Sequence, residues 1–300
     1  MFGSESDDET DTDTGWAAVD SPTEKTLTGV VMTVAGPVAV GGSGNVIARF
    51  EDSWEVVIDG GPAARRNKLT DVDVSDDGKS VWFCGSSGAL GRYDIPTRQK
   101  YDYSAPKEKT STWETVAVAG EAGDERLYAA NGSGEVMDAT VDGEGCATFG
   151  DVVKPGSGST ITALSFGNGN CYAIDTSGNV FLTDGEEWTD IGIRNAQVNF
   201  FDVAAHDGAV FVAAGGGLVY RYDRPCRNWT PVQAGEGLLR AIDVTDERDI
   251  VVGAGGNAFE QRPKEVWKPV ETTVEVVLHD VALGETDVAV GEAGTVIERS

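Results

Sequence analysis

Short apolar runs, each closed by a turn that ends in glycine, recur along the whole chain. Val38-Ala-Val-Gly-Gly-Ser-Gly44-Asn-Val-Ile-Ala-Arg49 is nearly repeated by Val288-Ala-Val-Gly-Glu-Ala-Gly294-Thr-Val-Ile-Glu-Arg299. Five weaker copies lie between, so the turn glycines fall at Gly44, Gly88, Gly134, Gly178, Gly217, Gly256 and Gly294, 38 to 46 residues apart. Each unit opens on an apolar-periodic stretch such as Leu69-Thr-Asp-Val72-Asp-Val74 or Leu239-Arg-Ala-Ile242-Asp-Val244, followed by an Asp- and Gly-rich turn. The apolar run comes next, then the glycine turn, where a reversal needs the positive φ that a Cβ disfavours. A third stretch such as Val180-Phe181 leads into an aromatic and a branched apolar residue, as in Trp54-x-x-Val57, Trp188-x-x-Ile191, Trp229-x-x-Val232 and Trp267-x-x-Val270. Tyr101 and Phe149 take the tryptophan place in the second and third units. Four short strands per unit at a period near 40 predict an all-β, seven-bladed β-propeller. No long stretch carries the i, i+3, i+4, i+7 spacing of a helix.

The two ends of the pattern match each other. The seventh unit stops at its third strand, while Trp16-Ala-Ala-Val19 precedes the first unit, which begins at Leu27. The N-terminal strand is therefore expected to complete the last blade, since an open ring would leave a strand edge unpaired. The domain expectation is a single propeller over residues 15–300, preceded by an acidic, disordered tail over 1–14.

Charge adds a second layer. Fifty acidic residues face 23 basic ones, a formal net charge of −27. The acids recur in turns throughout the chain, so a tail alone does not account for them. Self-repulsion on this scale opposes the compact state at low salt and is screened at molar salt, where the Debye length is about 3 Å. The composition resembles that of proteins from salt-in halophilic archaea. Met1 to Thr14 lacks the basic and apolar regions of a signal peptide, and no apolar run approaches the roughly 20 residues of a membrane-spanning helix. A cytoplasmic, monomeric protein without membrane insertion is expected. Cys84 and Cys171 fall in apolar strands and Cys146 and Cys226 in loops, at spacings that match no zinc module. Neither a metal nor a cofactor is expected.

The string V-A-V-G-x-x-G-x-V-I, with its following W-x-x-V, resembles the Ycf48/Hcf136-like and BNR-like propellers, within the broader WD40/YVTN/BNR type. The resemblance runs from Gly15 to Ser300 and rests on repeats, so it bears on fold more than on function. It implies a docking platform. BNR repeats carry an Asp-box, of which Thr183-Asp-Gly-Glu-Glu-Trp188 is a shortened form and Ser75-Asp-Asp-Gly-Lys-Ser-Val-Trp82 a loose match. Both imply structural turns, and neither implies sialidase activity.

Two sets of residues stand out as candidate sites. Blade topology places the links between blades on one face, and four consecutive links hold Arg65, Arg66, Lys68, Lys107, Lys109, Lys154 and Arg194, opposed there only by Asp59 and Glu108. A positive sector on an otherwise negative protein suits an acidic protein segment or assembly partner. Nucleic acid is disfavoured, because no stacking aromatics accompany the charges. The plainer alternative is that exposed loops simply carry charge.

The second set comes from the first strands, expected to line a central channel. Their variable early position reads Thr28, Thr70, Glu114, Thr162, Phe201, Arg240 and His279. Glu114, Arg240 and His279, with Asp280, could grip a small polar ligand at the channel mouth, although a solvated polar lining would read the same. His206, in an Asp-Gly turn, is expected to be merely exposed. No phosphate loop, GxSxG motif or helical metal triad is present. The expected function is a non-catalytic scaffold that binds through the basic sector; the alternative is a hydrolase or lyase at the channel mouth.

Overall fold

The computed structural model describes residues 15–193, 198–206 and 208–300. The acidic segment 1–14 and Arg194 therefore lie outside the described residues. Within these residues the chain forms seven four-stranded antiparallel sheets, each a blade. The inner strands are Leu27–Thr33, Leu69–Val74, Trp113–Ala119, Ile161–Gly167, Phe200–His206, Leu239–Val244 and Leu278–Ala282, one each for blades 1 to 7. Each inner strand packs on the next, and that of blade 7 packs on that of blade 1, so the ring closes around a central channel.

The second strand of each blade lies between neighbours on both faces, which explains its unbroken apolar run. Ser80–Gly85, for example, is buried at every residue. Alternate side chains there serve opposite interfaces: Val38 and Val40 pack against blade 2, whereas Ala39 packs against blade 7. The core is accordingly divided into seven apolar clusters, one at each blade interface. The outer strands, such as Asn228–Gln233, are largely exposed.

All seven turn glycines have φ between +70° and +80°. At Gly294 a Cβ would also overlap the carbonyl oxygen of Thr23, because the turn lies against the link that leads into blade 1. Conformation and close approach thus demand the same residue.

The N-terminal strand completes blade 7 as expected. Ala17–Val19 pairs with Val296–Arg299 in the register Ala17↔Glu298, Ala18↔Ile297 and Val19↔Val296. Trp16, just before it, is buried in the cluster between blades 6 and 7. Its amide donates to the Glu271 carbonyl at 3.2 Å. Beside it the Arg299 guanidinium carbon lies 5.3 Å from the indole centroid. Arg299 reaches Asp287 at 3.0 Å and Glu260 of blade 6 at 2.7 Å, and Arg248 of blade 6 reaches Asp287 at 2.6 Å. The last interface is thus sealed by apolar packing and by a compact set of ion pairs. Cys84 and Cys171 are buried in strands, while Cys146 and Cys226 are exposed.

Candidate binding face and channel

The links between blades and the turns between second and third strands share one face of the ring. Backbone hydrogen bonds hold them together: Gly42 donates to Thr26 at 2.9 Å, Ser86 to Lys68 at 2.8 Å and Glu292 to Val277 at 3.1 Å. The basic links of the first half of the ring therefore surround part of the channel mouth. Arg65, Arg66, Lys68, Lys107 and Lys154 are all exposed. Arg66 has a loose partner in Asp59 at 3.6 Å, with both side chains well solvated, so the pair does little to neutralise the patch. Lys109 differs from the rest. It is half-buried, and its Nζ lies 3.0 Å from each oxygen of Glu135, in the glycine turn of blade 3. Hydrogen bonds from Asn131 and Lys109, with the added charge of Lys154, hold the Glu135 carboxyl below its ordinary pKa. Only the fold brings this third acid into the sector.

The backbone of these links is unusual. Ala64, Arg66, Ala105, Lys107 and Glu108 all have φ between +51° and +62°. Non-glycine residues hold that conformation at a cost of about 1–3 kcal/mol each, so surrounding structure must fix these links. Ala105, for example, donates its amide to the Gly88 carbonyl at 2.8 Å. The far side of the same face is acidic, with Glu236, Glu271, Glu275 and Glu292 in the links and turns of blades 5 to 7. On the opposite face the turns of blades 2 and 3 carry Asp76, Asp77, Glu121, Asp124, Asp142 and Glu144.

The channel forms a cavity of about 400 Å³, lined by all seven early inner-strand positions. Three of them are committed elsewhere. Thr28 donates to the Leu69 carbonyl at 2.9 Å, Thr70 to Trp113 at 2.6 Å and Thr162 to Phe200 at 3.3 Å, each in the next blade. Apolar Phe201 and polar Glu114, Arg240 and His279 remain, and they line the same cavity. Arg240 lies over the Phe201 ring at 4.9 Å, and its buried Nε has no hydrogen-bond partner. Burial, then the Arg240 charge, lowers the His279 pKa, which favours the neutral imidazole. Burial raises Glu114, with Lys68 pulling the other way. Lys68 thereby couples the basic sector to the channel mouth.

Asp280 has a different setting from His279 beside it. Its carboxylate accepts the Val30 amide of blade 1 at 2.7 Å and the Val281 amide at 2.9 Å. Both oxygens are therefore engaged by backbone. The same geometry recurs at Asp71, which accepts from Val116 at 2.9 Å, and at Asp202, which accepts from Ile242 at 2.8 Å. One turn of the pleat further on, Asp73 accepts from Val118 at 2.7 Å and Asp243 from Leu283 at 2.8 Å. Sequence reasoning marked Asp280 as a channel-mouth ligand residue rather than a backbone acceptor, and assigned no role to the other four aspartates. Their signal was an acidic residue inside an apolar inner strand, directly before Val. His206 is partly exposed, yet its Nε2 lies 3.0 Å from Asp246 Oδ1 of blade 6. Both Asp-box-like segments form turns, as in Ser75, whose hydroxyl donates to Asp77 at 2.7 Å. Among the described residues no group of three or more His, Cys, Asp or Glu is placed to hold a metal ion. Nor is any helix there long and apolar enough to cross a membrane.

No protein-family model matches the sequence, and no curated protein matches it. Solved structures do. The chain is similar to the WD40 β-propeller domain of Doa1, with a TM-score of 0.75 at 13% identity over 95% of this chain and 97% of that one. A chain of the mitotic checkpoint complex aligns with a TM-score of 0.77 at 11% identity, covering 100% and 97% of the two chains. YCF48 bound to D1 peptide aligns with a TM-score of 0.73 at 12% identity, covering 95% and 96%. At such identities the likeness extends to the fold alone: this is a seven-bladed β-propeller, similar in fold to WD40 and YCF48 propellers.

Proposed function

We propose that this protein is a non-catalytic binding scaffold that receives an acidic protein segment on the basic sector of its channel-mouth face. The observation that carries the reading is the clustering of Arg65, Arg66, Lys68, Lys107 and Lys154, all exposed, in three consecutive links on a chain of net charge −27. Such a contrast steers a complementary partner to one part of the surface. The positive-φ backbone of two of these links gives further support, because strain of this kind collects at binding sites. Likeness to a YCF48 structure that holds a peptide is in keeping with the reading. On this reading the protein acts in the cytoplasm as a monomer, and nucleic acid is disfavoured because no stacking aromatics accompany the basic residues and the remaining charge is repulsive.

The test is fluorescence anisotropy with a labelled glutamate-rich peptide in 0.2 M KCl. Wild type binds, and Arg65→Glu/Arg66→Glu/Lys107→Glu weakens binding about tenfold or more. Equal affinity in the two proteins overturns the proposal. A second reading places a small polar ligand, and at most a hydrolase or lyase reaction, at the channel mouth. It rests on the convergence of Glu114, Arg240 and His279 on one cavity, and a ligand bound there would be lost in Arg240→Ala.

A further inference from the structure

The grooves between successive blades can be compared position by position, because the repeat spacing aligns them. In the groove between blades 6 and 7, Asp287 begins the second strand and receives Arg248 at 2.6 Å and Arg299 at 3.0 Å. Arg299 also lies over Trp16, the aromatic that precedes the outer strand. One blade earlier, the residue equivalent to Asp287 is Asp249, which likewise begins a second strand. Trp267 stands where Trp16 does, just ahead of the outer strand Lys268–Val270. The two arginines, however, are missing. Ala209 occupies the place of Arg248, and Gln261 occupies the place of Arg299.

The result is an open groove of about 480 Å³ between blades 5 and 6, lined by Ala209, Arg221, Asp249, Gln261 and Trp267 among others. Burial pushes the Asp249 carboxyl up to about 6, against the pull of Arg221 and then His206, while Asp243 adds to the rise. No hydrogen bond supports it. A half-buried carboxylate in this state lacks the counterion that its equivalent has. Arg221, in the place of Glu260, leans over the Phe211 ring at 5.9 Å and stays beyond ion-pair distance of Asp249. Thr245, Lys264, the His206–Asp246 pair and Arg262, which is turned to Glu260 at 3.0 Å, also line the groove.

We propose that this groove is a binding site for an alkylguanidinium group, which takes the position that Arg299 fills in the next groove. The carboxylate of Asp249 receives the guanidinium N–H donors, and the Trp267 ring covers one face, the arrangement in which Arg299 is held by Asp287 and Trp16. In that arrangement two donors of one guanidinium, Nε at 3.2 Å and Nη2 at 3.0 Å, converge on Asp287 Oδ2, and such planar, multi-donor recognition favours guanidinium over a simple ammonium.

The site is tested on the full chain by calorimetric titration with agmatine, with butylamine for comparison, in 0.5 M KCl. Wild type is expected to bind agmatine at one saturable site and butylamine more weakly. Asp249→Asn should weaken agmatine binding about tenfold or more. Gln261→Arg should abolish binding and raise the melting temperature by about 2–4 °C, because it rebuilds the sealed groove from within. This gain guards against reading misfolding as loss of a site. An arginine-containing tripeptide amide that binds more tightly than agmatine assigns the group to a partner protein, and equal binding assigns it to a small molecule. Absence of saturable agmatine binding to wild type, or unchanged binding in Gln261→Arg, overturns the proposal. Loss of acidic-peptide binding at the basic sector would leave this groove untouched, so the two readings fail separately.

Discussion

Asp71, Asp73, Asp202, Asp243 and Asp280 each accept one amide from the residue that follows and one from the next blade. They serve as latches between inner strands, and burial sets their chemistry. It raises all five, Asp73 and Asp202 to about 7 and Asp243 to about 6. The folded chain thus keeps protons that the unfolded chain has released above about pH 4. These groups contribute stability that is greatest at the acid end of the window and is lost as pH rises toward about 7. Asp77 works in the opposite sense. Burial raises its carboxyl, but hydrogen bonds from Ser75, Lys79 and Ala122 together outweigh that cost and hold it at about 2, so its contribution disappears only in strong acid. Thermal melts at constant salt should therefore show a midpoint that falls between pH 5 and pH 8. Asp202→Asn should flatten part of that slope. It should also cost about 1–3 kcal/mol, because its amide nitrogen would face a backbone N–H. A midpoint rising steadily from pH 5 to pH 8 would contradict this account of the latches.

The N-terminal strand is the element on which ring closure depends. It joins residues at opposite ends of the chain, and Trp16 fills the interface it covers. Trp16→Ala should cost about 3–5 kcal/mol, the usual range for emptying a buried aromatic site. Denaturant melts would measure it, and a loss below about 1 kcal/mol would mean that the clasp is not stressed. Strands, glycine turns and the clasp were legible in the sequence because each depends on local grammar: period-two apolar runs, a positive-φ glycine and one aromatic per unit. The latches and the open groove were not. They depend on which side chains of adjacent blades meet, as when Asp249 lacks the arginine that Asp287 has. The basic sector was half legible: Arg65, Arg66 and Lys107 are exposed as their links suggest, but Glu135 reaches Lys109 from a turn remote in sequence.

At the scale of the whole molecule, charge bears on stability and, on the proposed reading, on recognition. With a formal net charge of −27, self-repulsion opposes folding until salt screens it. The melting temperature should rise between 0.1 M and 2 M KCl, and a flat or falling profile would argue that the acidic surface is not under strain. On the proposed reading, the same background makes the basic links of blades 1 to 3 the feature that an acidic partner would find. Hydrogen–deuterium exchange with and without a glutamate-rich peptide tests that claim most directly. Protection is predicted in the links over residues 59–68, 103–112 and 154–160. Protection confined to the turns of the opposite face, or to blades 5 to 7, would contradict it.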